Sequence, residues 1–105
     1  MHIDKGGIMV EYNKSVLKDL KDMYPGLWEE GYWINPDGKI EIRKMTKNHI
    51  ENTINMLENR SPLSLYNLKK RDNKDELIMY IIELIEKKIE EFEDHLKKGR
   101  YDEYY

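Results

Sequence analysis

Cysteine, alanine and glutamine are absent from this chain, and proline occurs only three times. Without cysteine there is neither a disulfide framework nor a thiolate metal site, and the composition fits a reducing compartment. No apolar run approaches the roughly 18 residues of a membrane span, and no signal-peptide pattern appears, so a soluble protein of the cytoplasm is expected. An excess of one charge is missing as well. The 18 Lys and Arg stand against 21 Asp and Glu, a net charge of -3, and the two signs alternate along most of the sequence. Broad phosphate-backbone binding needs a concentrated basic surface, so nucleic acid is the less favoured partner. The missing alanine and glutamine accompany abundant Lys, Ile, Asn, Glu and Tyr. AT-rich codons specify most of these, which marks an AT-rich genome rather than a function.

What is present has to build one small domain of 105 residues, with 39% hydrophobic and 37% charged side chains. A core on that composition requires well-segregated apolar faces, or apolar surface shared between subunits. Lys5-Gly6-Gly7 can be encoded by the ribosome-binding purine run AAA-GGA-GGN just upstream of Met9. Residues 1–8 are therefore read as a non-native leader, with Met9 as the native start and no function placed before Val10.

The pattern predicts an α+β fold, mostly helical: a β-hairpin packed with a short N-terminal helix, a middle helix and a long C-terminal amphipathic helix. Asn13 or Ser15 caps the first helix, whose Val16, Leu17, Leu20 and Met23 recur at helical spacing until Pro25-Gly26 stops it. Strands at 32–35 and 39–43 flank Asn35-Pro36-Asp37-Gly38, where Pro suits the first turn corner and Gly the left-handed position of a bulged hairpin. In the second strand Ile40 and Ile42 share the core face. Thr46 is the N-cap of the middle helix, and Met45 with Ile50 has the spacing of a hydrophobic staple. On that helix Ile50, Ile54 and Leu57 form the buried stripe, and His49, Asn52, Thr53, Met56 and Arg60 share one flank. Ser61-Pro62 ends it and caps a short helix through Leu68.

The last helix, over 74–98, starts near Asp72 or Asn73, holds Asp75 and Glu76 in its first turn and Lys97 and Lys98 in its last, and stops at Gly99. Its apolar residues span an arc of roughly 160°, wider than one stripe. Two accounts fit: a central core helix, or the seam of a homo-oligomer. The Glu and Lys alternation from Glu83 to Lys98 reads as a solvent face with helical charge pairs. Arg100 to Tyr105 reads as a frayed tail.

Six residues are candidates for ligand binding: Trp33, Arg43, Lys44, His49, Asn52 and Arg60. A histidine can serve as general base or metal ligand. The flank of His49, however, offers an amide, a hydroxyl, a thioether and a guanidinium but no carboxylate, and no spacing supplies the further ligands a metal needs. No metal, cofactor or catalytic residue is therefore assigned, and the chain is not read as an enzyme. His49 beside Asn52 suits the binding of a polar group or a hydrogen bond to the hairpin. Trp33 can stack on a nucleobase, or pack across the strands against Ile40 or Ile42. Arg43 and Lys44 can bring positive charge to the start of the middle helix, where anions bind, or remain a solvated basic pair.

The run Tyr32-Trp33-Ile34-Asn35-Pro36-Asp37-Gly38-Lys39-Ile40-Glu41-Ile42-Arg43-Lys44-Met45-Thr46-Lys47-Asn48-His49-Ile50-Glu51-Asn52-Thr53-Ile54 resembles a segment of small, mostly uncharacterised proteins of bacteriophages and prophages. Those carry an aromatic-led hairpin, then Ile-x2-Met-x3-His-[Leu or Ile]-x-Asn and a helix. Small phage accessory proteins commonly block host defence proteins, sequester signalling nucleotides or adjust host transcription. The resemblance implies a non-enzymatic, phage-encoded binding protein of the host cytoplasm with an anti-defence role. Its partner is either a small nucleotide, met by Trp33, Arg43, Lys44, Arg60, His49 and Asn52, or a host defence protein, met by the acidic and aromatic surface. The contrasting expectation is a nucleic-acid-binding regulator that presents Asn48, Asn52, Asn55 and Asn59, against which Glu51 and Glu58 count.

Overall fold

A computed structural model describes residues 14–35, 38–72 and 74–103. The leader, Asn13, the turn corner at Pro36-Asp37, and Tyr104 and Tyr105 lie outside the described residues. The architecture is α+β and mostly helical, with one antiparallel hairpin. Helix α1 covers 14–23 and a 3-10 turn follows at Pro25–Trp28. Strands β1 (Tyr32–Asn35) and β2 (Gly38–Glu41) form the hairpin, and a second 3-10 turn at Ile42–Lys44 leads to α2 (Lys47–Asn55). A π-helical turn at Met56–Arg60 extends α2, and α3 (Leu65–Lys69) and α4 (Glu76–Lys97) complete the chain.

Helix α1 buries Val16 and Leu20 and leaves Met23 exposed. Ser15 lies inside the helix rather than at its cap. Proline fixes the first position of the turn that follows, where no helical N–H is needed. Gly26 is required there by close approach. A Cβ at this site would stand 2.8 Å from the Ile34 nitrogen and 2.9 Å from Cε3 of Trp33, inside van der Waals contact with β1.

In the hairpin, Tyr32 pairs with Glu41, Trp33 with Ile40, Ile34 with Lys39 and Asn35 with Gly38. This ladder is unbroken, so the expected bulge is absent between these pairs. Gly38, at φ +123°, carries the backbone back into β2 in a conformation that disfavours other residues. The second strand is shorter than the expected 39–43. It ends at Glu41, and the 3-10 turn brings Ile42 fully into the core, so Ile40 and Ile42 do not share one strand face as alternation required.

Thr46 caps α2 by accepting a hydrogen bond from the His49 N–H at 3.1 Å, and Met45 and Ile50 are both buried. The π turn was not legible in the pattern. It closes with the Ser61 N–H donating to the Met56 carbonyl. Ser61-Pro62 is not the cap of α3, because Ser64 takes that role through Asn67 N–H at 3.2 Å. Ser61 instead is buried and accepts the Tyr24 hydroxyl at 2.5 Å and the Leu63 N–H at 3.1 Å, while its carbonyl accepts Asn67 Nδ2 at 3.0 Å. One hydroxyl thereby joins the end of α1 to the junction of α2 and α3.

Asn73 lies outside the described residues, and α4 starts later than Asp72 suggests. Asp75 is its N-cap, accepting from the Ile78 N–H at 3.0 Å. Ile78, Ile81, Ile82, Ile85, Ile89 and Phe92 are buried within the chain, which is the core-helix account of the wide arc. Trp33 closes the core, stacked on Tyr24 (centroids 6.1 Å apart) and edge-on to Phe92 (5.5 Å). Within the tail, Tyr101 and Asp102 meet the body of the protein. The Asp102 N–H donates to the Met45 carbonyl at 2.8 Å, Thr46 and Asp102 form a parallel bridge, and Tyr101 packs half-buried against the core. Among the described residues no helix is long and apolar enough to cross a membrane.

Candidate functional site

The flank of α2 and its π extension turns toward the hairpin, and a cleft of about 650 Å³ lies between them. Its apolar walls come from Met23, Ile34, Met56 and Pro62, and His49, Asn52, Thr53 and Arg60 supply the polar lining. Helical spacing explains the grouping. Residues three, four and seven positions apart stack on one side of a helix, so His49, Asn52, Thr53, Met56 and Arg60 share one surface.

The backbone ties of these residues fix where they sit. Thr53 is buried and donates its hydroxyl to the His49 carbonyl at 2.8 Å, a bond back along the helix. Arg60 folds over the last turn, with Nη2 donating to the Asn52 carbonyl at 3.4 Å. That is a long contact and leaves most of the guanidinium fork available. Among the described residues neither the His49 ring nor the Asn52 amide makes a side-chain hydrogen bond, so both are available to a bound molecule.

Four of the six candidate residues therefore converge on one cleft: Trp33, His49, Asn52 and Arg60. Trp33 does so only as a wall. It is 3% exposed, with Tyr24 stacked beside it and Phe92 against it, and offers no open face for a nucleobase. The stacking role assigned to it is corrected by this burial: on a strand facing a helix, a large aromatic gains more by leaving water than by staying on the surface. Arg43 and Lys44 are not brought to the cleft. The turn at Ile42–Lys44 directs both to Glu41, at 3.1 Å each. The Glu41 carboxyl is held below its ordinary range, chiefly by the Lys44 hydrogen bond and further by the charge of Arg43, while partial desolvation opposes the shift.

The asparagine row is not equally free. Asn59 Nδ2 donates to Asn55 Oδ1 at 3.1 Å, so these two side chains are joined by one hydrogen bond.

The sequence reading passed over a second constellation. Lys88, assigned to the solvent face of α4, is 4% exposed. Its ammonium donates to the Glu29 carbonyl at 2.8 Å, the Tyr32 carbonyl at 3.2 Å and Glu91 Oε1 at 2.7 Å, which satisfies all three of its hydrogens. Glu91 Oε2 in turn accepts the Gly31 N–H at 3.2 Å. The pair clamps the turn leading into β1 onto α4. The signal for it is Lys88 standing in line with Ile81, Ile85 and Phe92, a charged residue within an apolar stripe. Beside this clamp a groove of about 740 Å³ runs between the turn and α4. Among the described residues no three His, Asp or Glu are placed to hold a metal ion.

No protein-family model, no curated protein and no solved structure matches the chain.

Proposed function

We propose that this chain is a small non-enzymatic binding protein of phage origin that acts in the host cytoplasm against a defence system, by sequestering a nucleotide signal in the cleft between α2 and the hairpin. The observation that carries the ligand reading is the convergence of Arg60, His49 and Asn52 on one apolar-walled cleft. Small-ligand sites combine this kind of apolar wall with a few orienting polar groups. In this reading Arg60 meets a phosphate with its guanidinium fork. His49 and Asn52 hydrogen-bond the base or ribose. The base lies against Met23, Met56 and Ile34, because Trp33 is enclosed; thioethers are polarizable and pack well on rings. The lining of His49 supplies hydrogen bonds and one positive charge, which serve binding better than proton transfer. The phage setting and the anti-defence role rest on the resemblance of the 32–54 run.

Native mass spectrometry of the purified protein with a panel of cyclic nucleotides tests the reading. One nucleotide should be retained, and Arg60→Ala or Asn52→Ala should weaken it by about tenfold or more, the scale of one lost charge-assisted contact. Absence of any retained nucleotide, or retention indifferent to Arg60→Ala, would overturn it.

A further inference from the structure

We propose that the groove between the Pro25–Trp28 turn and α4 docks a short basic segment of a partner protein, an apolar side chain resting on Trp28 and Leu84 and a lysine or arginine meeting Glu30, Glu90 and Asp94. All five residues line the one groove of about 740 Å³, which shares no lining residue with the cleft on α2. From Leu84 to Asp94 the helix rises about 15 Å. That length accommodates four or five residues of extended chain at about 3.3 Å each.

The apolar end is built rather than incidental. Trp28 is 36% exposed, yet its indole N–H donates to the Tyr80 hydroxyl at 3.3 Å and the Lys21 ammonium stands 5.5 Å over the ring. An exposed, positioned tryptophan beside a tyrosine is the composition of an interface anchor. The acidic end fixes the chemistry of the occupant. Glu30 and Glu90 form no ion pair among the described residues, and Asp94 is bridged only by Lys98, half exposed, at 3.2 Å. The charge of Lys88 is already matched by Glu91 and turned toward the backbone. Lys87 is the exposed cation of the lining and Lys98 lies on Asp94, so three carboxylates meet two ammoniums and the excess is negative. Such a surface repels phosphate, which disfavours nucleic acid and anionic membrane, and it attracts a cationic segment. A bare acidic cluster would take any cation; the aromatic end makes the groove discriminate.

Three acetylated peptides test this against the full chain by amide NMR and tryptophan fluorescence at low salt: Leu-Lys-Lys-Arg, Gly-Lys-Lys-Arg and Leu-Glu-Glu-Glu. The first should shift the Trp28 indole N–H and the Glu90 amide, and bind about tenfold tighter than either of the others. Glu90→Lys, on an exposed position, should weaken it by about tenfold with helicity unchanged, and Trp28→Ala by about fivefold. Equal binding of the glycine peptide would reduce the groove to diffuse charge attraction and overturn the proposal. So would tight binding of the acidic peptide, shifts confined to other surfaces, or no shift with the leucine peptide at millimolar concentration. None of these results bears on nucleotide retention by the other cleft.

Discussion

Two glutamate–lysine pairs in this protein have the same three-residue spacing and opposite surroundings. Glu41 and Lys44 meet at 3.1 Å beside Arg43, at a turn where both cations are two-thirds exposed. Lys88 and Glu91 meet at 2.7 Å with the lysine enclosed. In water a pair of charges gains little, because solvent screens it and two long side chains lose freedom. Inside, the ammonium has no water to return to while Glu91 keeps 22% of its side chain exposed, and the pair is tolerated because every hydrogen of the ammonium finds an acceptor. Spacing alone therefore does not decide what an ion pair does. The site of the pair relative to the core decides it.

The contrast breaks most directly at Lys88. Lys88→Ala removes the ammonium from the Glu29 and Tyr32 carbonyls and leaves the Glu91 carboxylate without its cation, holding only the Gly31 N–H, and should cost about 3–5 kcal/mol in urea unfolding. A loss below about 1 kcal/mol would make this pair no different from a surface one. Glu91→Gln is gentler. The amide still accepts from Lys88 or Gly31 but loses its charge, and about 1–2 kcal/mol should be lost, with less change between low and high salt than at a surface pair because the ammonium is enclosed.

The same contrast explains how much of the molecule was legible in its sequence. Capping and turn residues act over three or four positions, so Thr46 at the start of α2 and the strands about Pro36-Asp37 followed from local chemistry. The flank of α2 was legible because helical spacing alone puts His49, Asn52, Thr53, Met56 and Arg60 on one side, and a cleft lies there. What was not legible depends on long-range partners. Tyr24 finds Ser61 37 residues away and Lys88 finds Glu29 59 residues away. Arg43 and Lys44 failed as cleft residues for the converse reason: a three-residue 3-10 turn, set by the burial of Ile42, rotated them toward Glu41. Trp33 was legible as a packing residue and not as an enclosed one, since enclosure needs Tyr24 and Phe92 from other elements.

On the exposed side of the comparison the effects should be small. Arg43→Ala should shift stability by under about 0.5 kcal/mol, and added salt should erase even that. A larger, salt-resistant loss would place Arg43 in a partly dry contact and narrow the distinction between the two pairs.

The smallest effect, and the sharpest in sign, concerns Glu41 and pH. Its carboxyl is held low first by the Lys44 hydrogen bond and then by the Arg43 charge. In the unfolded chain a glutamate titrates near about 4.3. A group whose folded value lies below its unfolded value binds fewer protons when folded, so it favours the native state above the unfolded value and loses that contribution as pH falls through the folded one. Glu41→Gln should therefore be slightly less stable than the natural chain at neutral pH, and the difference should vanish as the solution is acidified past that window. Thermal melts of both proteins across the acidic range would measure it. A difference that grows on acidification would reverse the sign, and would mean that the burial opposing the two cations dominates at Glu41 after all.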